Sequence, residues 1–173
     1  MNGNKNGSSG CVNVKGGAVV DNSLFYDNTA AYTANLFVTG SGNGVTNCTI
    51  NGSVGFEGNQ GPTFSILVNC VVKGTPSEWY SASVTAGQAF VHCAFPTAQP
   101  GVGNVTDPLA FVNHVNGDFH LPSDSGCRGA GRFEPWMRRA TDLDGRRRAN
   151  AGAVDIGCYQ YPATPAGSIL LVQ

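Results

Sequence analysis

Charge is what this sequence lacks most. Asp, Glu, Lys and Arg supply 12% of its 173 residues, where soluble globular chains usually carry about a quarter. Net charge is −1, which gives no electrostatic footing for nucleic acid or for an acidic membrane surface. Long hydrophobic runs are missing too. No stretch approaches the roughly eighteen apolar residues of a membrane span, and the opening MNGNKNGSSG lacks the apolar centre of a signal peptide. It reads as a polar loop, as if the chain starts inside a longer protein. Leucine is scarce: Leu24, Leu36 and Leu67 are the only ones before residue 109, which sets aside a leucine-rich repeat. Residues 1–106 show no sustained 3.6-residue apolar period, so a helical fold is excluded there.

What is present points the other way. Hydrophobic residues make up 41% of the chain and glycine contributes 24 positions. A chain this neutral stays soluble through amides, hydroxyls and tight turns, and it has too many apolar residues for disorder. The composition predicts an all-β fold. The few charges are segregated. Every arginine lies at or after Arg128, whereas residues 1–106 hold only Lys5, Lys15 and Lys73 against Asp21, Asp27, Glu57 and Glu78. Two chemically different regions follow.

An internal repeat organises the first of them. VVDNSLF (19–25), GVTNCTI (44–50), ILVNCVV (66–72) and AFVHCAF (89–95) superimpose on Asn22, Asn47, Asn69 and His92, spaced 25, 22 and 23 residues apart. Two positions before each anchor stand Val20, Val45, Leu67 and Phe90. One after it stand Ser23, Cys48, Cys70 and Cys93, all small, and three after it Phe25, Ile50, Val72 and Phe95. A straight strand alternates with period two, so these positions cannot share a face unless the chain bends at the anchor. Asn tolerates the left-handed backbone conformation that such a bend requires. The pattern predicts strand, one-residue corner, strand, stacked as the coils of a parallel β-helix with 22–25 residues per coil.

Residues 107–161 carry DPLAFVN (107–113), GDFHL (117–121), SGCRGAG (125–131), ATDLDGRRR (140–148) and AVDIGCYQY (153–161). In order and spacing they resemble the C-terminal capping segment of bacterial right-handed parallel β-helix proteins of the pectate-lyase-like superfamily, including those with a "choice-of-anchor" region. Gly126, Gly129 and Gln160 stand where that pattern commonly has Pro, Asp and Glu. The resemblance implies a right-handed solenoid over 1–106, a cap over 107–161 and a linker or tail over 162–173. It also implies a secreted or cell-surface bacterial protein, a monomer continuing upstream coils. It implies no single activity, because one architecture hosts many functions.

The candidate chemistry is sparse. Asn22, Asn47, Asn69 and His92 are expected to form a side-chain ladder. Cys48, Cys70 and Cys93 should make a row of buried thiols, since coils about 4.8 Å apart hold their Cβ atoms too far apart for disulfides. Cys127 and Cys158, which no repeat explains, are the candidates for a disulfide, with two free thiols as the alternative. Asp142 and Asp144 in DLDG look like part of a calcium loop. The immediate Arg146, Arg147 and Arg148 favour a turn with Asp–Arg pairing instead, and no other cofactor is suggested. That arginine run is either a grip for acidic polysaccharide or a solvated, ion-paired face. Glu78, Trp79 and Tyr80, in an expected GTPSEWY loop, are either a sugar platform or packing over a coil end. The scattered Lys73, Asp21, Asp27, Glu57 and Glu78 form no pair of carboxylates facing one cleft. The expected function is therefore a structural, adhesin-like or carbohydrate-binding module whose partner is a polysaccharide or surface glycan. The alternative is part of a polysaccharide lyase or glycoside hydrolase whose catalytic residues lie mostly upstream.

Overall fold

The structure, a computed structural model, describes residues 5–6, 12–30, 35–40, 42–57, 66–74, 77–79, 90–107 and 109–162; at 5–6, 29–30, 57 and 77–79 it describes the backbone alone. Strands β1 (Lys5–Asn6) and β2 (Val12–Val14) come first, then β3 (Val19–Asp21), β4 (Leu24–Phe25), β5 (Thr29–Ala30) and β6 (Leu36–Val38). Next are β7 (Gly44–Thr46), β8 (Thr49–Ile50) and β9 (Val54–Glu57), then β10 (Ile66–Val68), β11 (Val71–Val72) and β12 (Ser77–Trp79). The series ends with β13 (Phe90–Val91), β14 (Ala94–Phe95) and β15 (Val105–Thr106). Helix is confined to two short 3-10 turns, His114–Asn116 and Pro135–Arg138. The fold is all-β.

Pairing between these strands is parallel and follows the sequence repeat. One sheet runs β13-β10-β7-β3, a second β15-β14-β11-β8-β4 and a third β12-β9-β6-β2, while β1 pairs with β5. Registers match the superposition of the repeats. Val20 lies opposite Val45, Val45 opposite Leu67, and Leu67 opposite Phe90. Across the corner, Phe25 faces Ile50 and Ile50 faces Val72. This arrangement is compatible with a β-helix-like solenoid.

Between the first and second sheets the chain turns at one residue per repeat. Asn22, Asn47, Asn69 and His92 have φ of 50°, 49°, 53° and 51°. The bend resets the alternation, so that Val45, Cys48 and Ile50, or Leu67, Cys70 and Val72, all enter one buried cluster. Val14, Leu36, Val38, Val54 and Phe56 close that cluster from the third sheet. At its far end Phe90 meets Phe56 and Phe95 edge-on, with ring centroids 5.8 and 5.0 Å apart. Each such side chain contributes about 1.5–3 kcal/mol on burial.

The last turn is shorter. Val102 bridges Val91, and Val105 pairs with Ala94 only eleven residues further on. Gly101 makes this approach feasible: at φ 139° an added Cβ would lie 2.1 Å from the Phe90 carbonyl oxygen. Residues 107–162 then fold back against the outward face of the second sheet. Residues two past each corner point that way. Val71 and Ala94 are buried with Leu109, Phe111, Phe119, Leu121, Cys127 and Ile156, and Leu24 and Tyr26 pack against them. Burial on both faces explains why these strands read as continuous apolar pairs.

Replacing Asn69 tests the corner. Asn69→Ala places an ordinary side chain in the left-handed region, at about 1–2 kcal/mol, and removes two part-buried hydrogen bonds to the Arg132 backbone, at about 0.5–1.5 kcal/mol each. Urea unfolding should show a loss of about 2–4 kcal/mol. A change below about 0.5 kcal/mol would mean that this corner carries no structural role.

Candidate functional site

The corner side chains have two kinds of partner. Asn69 Nδ2 donates to Asn47 Oδ1 at 3.1 Å, and Asn47 Nδ2 donates to Asp21 Oδ1 at 3.0 Å. The other partners lie in residues 130–141. Asn69 Oδ1 accepts the Arg132 N–H at 2.7 Å while its Nδ2 donates to the Arg132 carbonyl at 2.9 Å. Asn22 Nδ2 donates to the Thr141 carbonyl, and His92 Nδ1 lies 2.7 Å from that of Ala130. Asn22, Asn69 and His92 thus fasten the cap, while Asn47 and Asn69 link repeats. None is placed for acid–base chemistry.

Cys48, Cys70 and Cys93 are free thiols with no solvent exposure. Burial, first of all, pushes the Cys48 and Cys70 thiols well above their ordinary value. Their bonding is regular. Each Sγ contacts the carbonyl two residues back, at Thr46, Val68 and Val91. Each also contacts that of Val20, Val45 or Leu67 in the preceding repeat. In the first repeat the Ser23 hydroxyl makes the same short bond, to the Asp21 carbonyl at 2.8 Å. The position selects a small donor for a corner carbonyl, and smallness alone was its visible signal.

The bridge considered for Cys127 and Cys158 is not formed; both are buried free thiols. Cys127 packs into the apolar cluster with Phe119 and Ile156. The Cys158 N–H instead donates to Thr49 Oγ1 at 3.0 Å, beside Arg148. Burial pushes each thiol up to about 12, so neither is a ready nucleophile at neutral pH.

Three buried aspartates organise the cap in place of regular structure. Asp107 accepts the N–H groups of Leu109 and Gly126. Asp155 accepts those of Gly129 and Tyr161. Asp142 accepts three, from Asp144, Arg146 and Gln160. Asp144, the second calcium candidate, is bonded to Arg146 and lies 2.7 Å from His120 Nε2. Donor groups surround both carboxylates and a guanidinium sits on one of them, which does not fit a calcium cradle.

The arginine run divides. Arg148, a candidate ligand contact in the sequence, is 1% exposed and therefore cannot reach a polysaccharide. Its Nη2 donates to the Gly157 carbonyl, close to the charges of Asp21, Asp142 and Asp155. Residue 157 must be glycine for this, since an added Cβ would meet Thr49 Oγ1 at 2.8 Å. Arg146 and Arg147 are exposed and line a cavity of about 820 Å³ together with Arg128, Asp155, Gln160 and Tyr161. The Arg128 guanidinium stacks 3.7 Å from the centre of the Tyr161 ring. Arg128 and Tyr161 lie in separate cap motifs, 125–131 and 153–161, and only the fold brings them to the run.

Residues 77–79 are strand β12, not part of a loop: Glu78 pairs with Phe56 and Trp79 with Glu57. The side chains of Glu78 and Trp79, and all of Tyr80, lie outside the described residues. Asp21 is held by Thr46 and Asn47, and Lys73 lies over the Phe111 ring. Among the described residues no helix is long and apolar enough to cross a membrane. No family model, curated protein or solved structure matches the chain.

His120 is the cap's pH-sensitive group. Its two ring nitrogens lie 2.6 Å from Asp118 and 2.7 Å from Asp144, and its ring stacks 4.2 Å from that of Tyr159. Desolvation works against its charge, but hydrogen bonds to Asp144 and Asp118 outweigh it, and the pKa rises above 6.5. Asp118 moves down from 3.8 through the His120 backbone and side-chain bonds. A raised pKa stabilises the fold fully below 6.5, and the effect fades as pH climbs through the raised value; at the acid end it is lost as Asp118 protonates. His120→Phe keeps the stacking and removes both bonds. Its thermal midpoint should fall below that of the parent at about pH 5.5, and the gap should close by about pH 9. A gap independent of pH would contradict the ion-pair assignment.

Proposed function

We propose that the chain is the capped C-terminal part of a right-handed parallel β-helix on a secreted or surface-displayed bacterial protein. In this reading it serves as a structural module that holds polysaccharide. Three parallel sheets with matched registers, recurring every 22–25 residues, support the solenoid. The motifs of residues 107–161, and their folding back over the second sheet, support the cap.

The observation that carries the binding function is where ionisable groups keep bonding capacity. The buried carboxylates of the cap are engaged by backbone N–H groups, and burial pushes the thiols of Cys48, Cys70, Cys127 and Cys158 up. The arginines of the open cavity face solvent instead. Such a surface binds; among the described residues Asp155 is its one lining carboxylate, where a hydrolase needs a facing pair.

Glycan-array binding of the 173-residue chain tests this, beside an ultraviolet assay for the unsaturated product of uronate cleavage. Saturable glycan binding without product is the expected outcome. Product formation abolished by substitution within this chain would overturn the module in favour of a lyase.

A further inference from the structure

We infer that the cavity between Arg128, Arg146, Arg147 and Tyr161 is a subsite for the anionic groups of an acidic glycan, its carboxylates or sulfates; this rests on the polysaccharide-binding reading. Its volume, about 820 Å³, lies within the range of about 300–1,000 Å³ typical of small-ligand clefts. Three guanidinium groups line it against one carboxylate, that of Asp155. Asp155 is not their partner, since its oxygens accept the Gly129 and Tyr161 N–H groups at 2.7 and 2.5 Å.

The three arginines are prepared in different ways. Arg128 lies over the Tyr161 ring, 3.7 Å from its centre, and is tied to the Ser123 carbonyl, which restrains its guanidinium before any ligand arrives. Arg146 is oriented by Asp144, the carboxylate that also faces His120. Arg147 has no ion-pair partner among the described residues and is exposed. Its backbone is nonetheless held by the bridge to Thr141. Like charges around one cavity repel, and a bound anion relieves that repulsion. Planar guanidinium forks match the paired oxygens of a carboxylate or sulfate, which an ammonium does not. A fixed, stacked arginine beside a free one is the arrangement expected for an anion-bearing sugar. Arg148 is excluded from the site by its burial.

Calorimetric titration decides, with galacturonate tetramer, heparin tetrasaccharide and neutral cellotetraose as probes. The two acidic probes separate carboxylate from sulfate as the source of the charge. At least one should bind the parent chain, weakening as salt is raised. Arg147→Gln and Arg128→Gln should each weaken it about tenfold or more, with thermal midpoints unchanged for Arg147→Gln. Arg147→Lys should recover only part of the loss, because the fork is gone. Arg139→Gln, outside the cavity, should have no effect. Acidic probes that bind parent and both variants within about twofold, or cellotetraose binding as well as they do, would overturn the subsite and leave glycan binding standing. No binding by any probe or on the glycan array would overturn both.

Discussion

Where the chain passes from the first sheet to the second, a non-glycine backbone sits in the left-handed region in every repeat: Asn22, Asn47, Asn69 and His92. Ordinary residues avoid that conformation, and Asn is among the few that enter it readily. The corner shifts the side-chain phase by one position. Without it, the residue before the bend and those after it would face opposite sides, and the apolar column of Val45, Cys48 and Ile50 would be split. The interior therefore depends on four backbone angles.

The same corners set the exterior. A residue in this conformation turns its side chain away from the core, where its amide or imidazole can reach a neighbour. Asn47 and Asn69 use that reach along the stack, and Asn22, Asn69 and His92 use it on the cap. Residues 107–162 contain almost no regular structure, so their order comes from these attachments, from buried aspartates gripping backbone N–H groups, and from apolar contact with the second sheet. Arg148 lies where cap and repeats meet, a buried cation among Asp21, Asp142 and Asp155. Breaking one partner of such a buried group is costly, which suits a segment laid along the outward face of the second sheet.

Much of the architecture was legible because the repeat encodes a phase anomaly. Apolar residues at −2, +1 and +3 around Asn make sense only with a corner, and strand registers follow from aligning the corners. Less legible was anything set by contacts across long sequence distance. Leu24, Val71 and Ala94 look like core-facing strand residues, yet they are covered by the cap. Cys127 and Cys158 are placed in separate environments that spacing does not encode. In RRR, three identical neighbours divide into one buried and two exposed residues, a difference visible only once Gly157 and Thr141 are positioned. The cavity pairs Arg146 and Arg147 with Arg128 and Tyr161, which belong to separate motifs whose meeting the sequence does not encode.

If the corners hold repeats and cap together, the two must open as one unit. Native-state hydrogen exchange reads this directly at the N–H groups of Arg132 and Gly157, which donate to Asn69 Oδ1 and to the Asn69 carbonyl. Both should exchange with the same opening free energy as Val71 and Ala94 within the second sheet. Rapid exchange at Arg132 and Gly157 while Val71 and Ala94 stay protected would show a cap that comes away independently, and would contradict the role given to the corners.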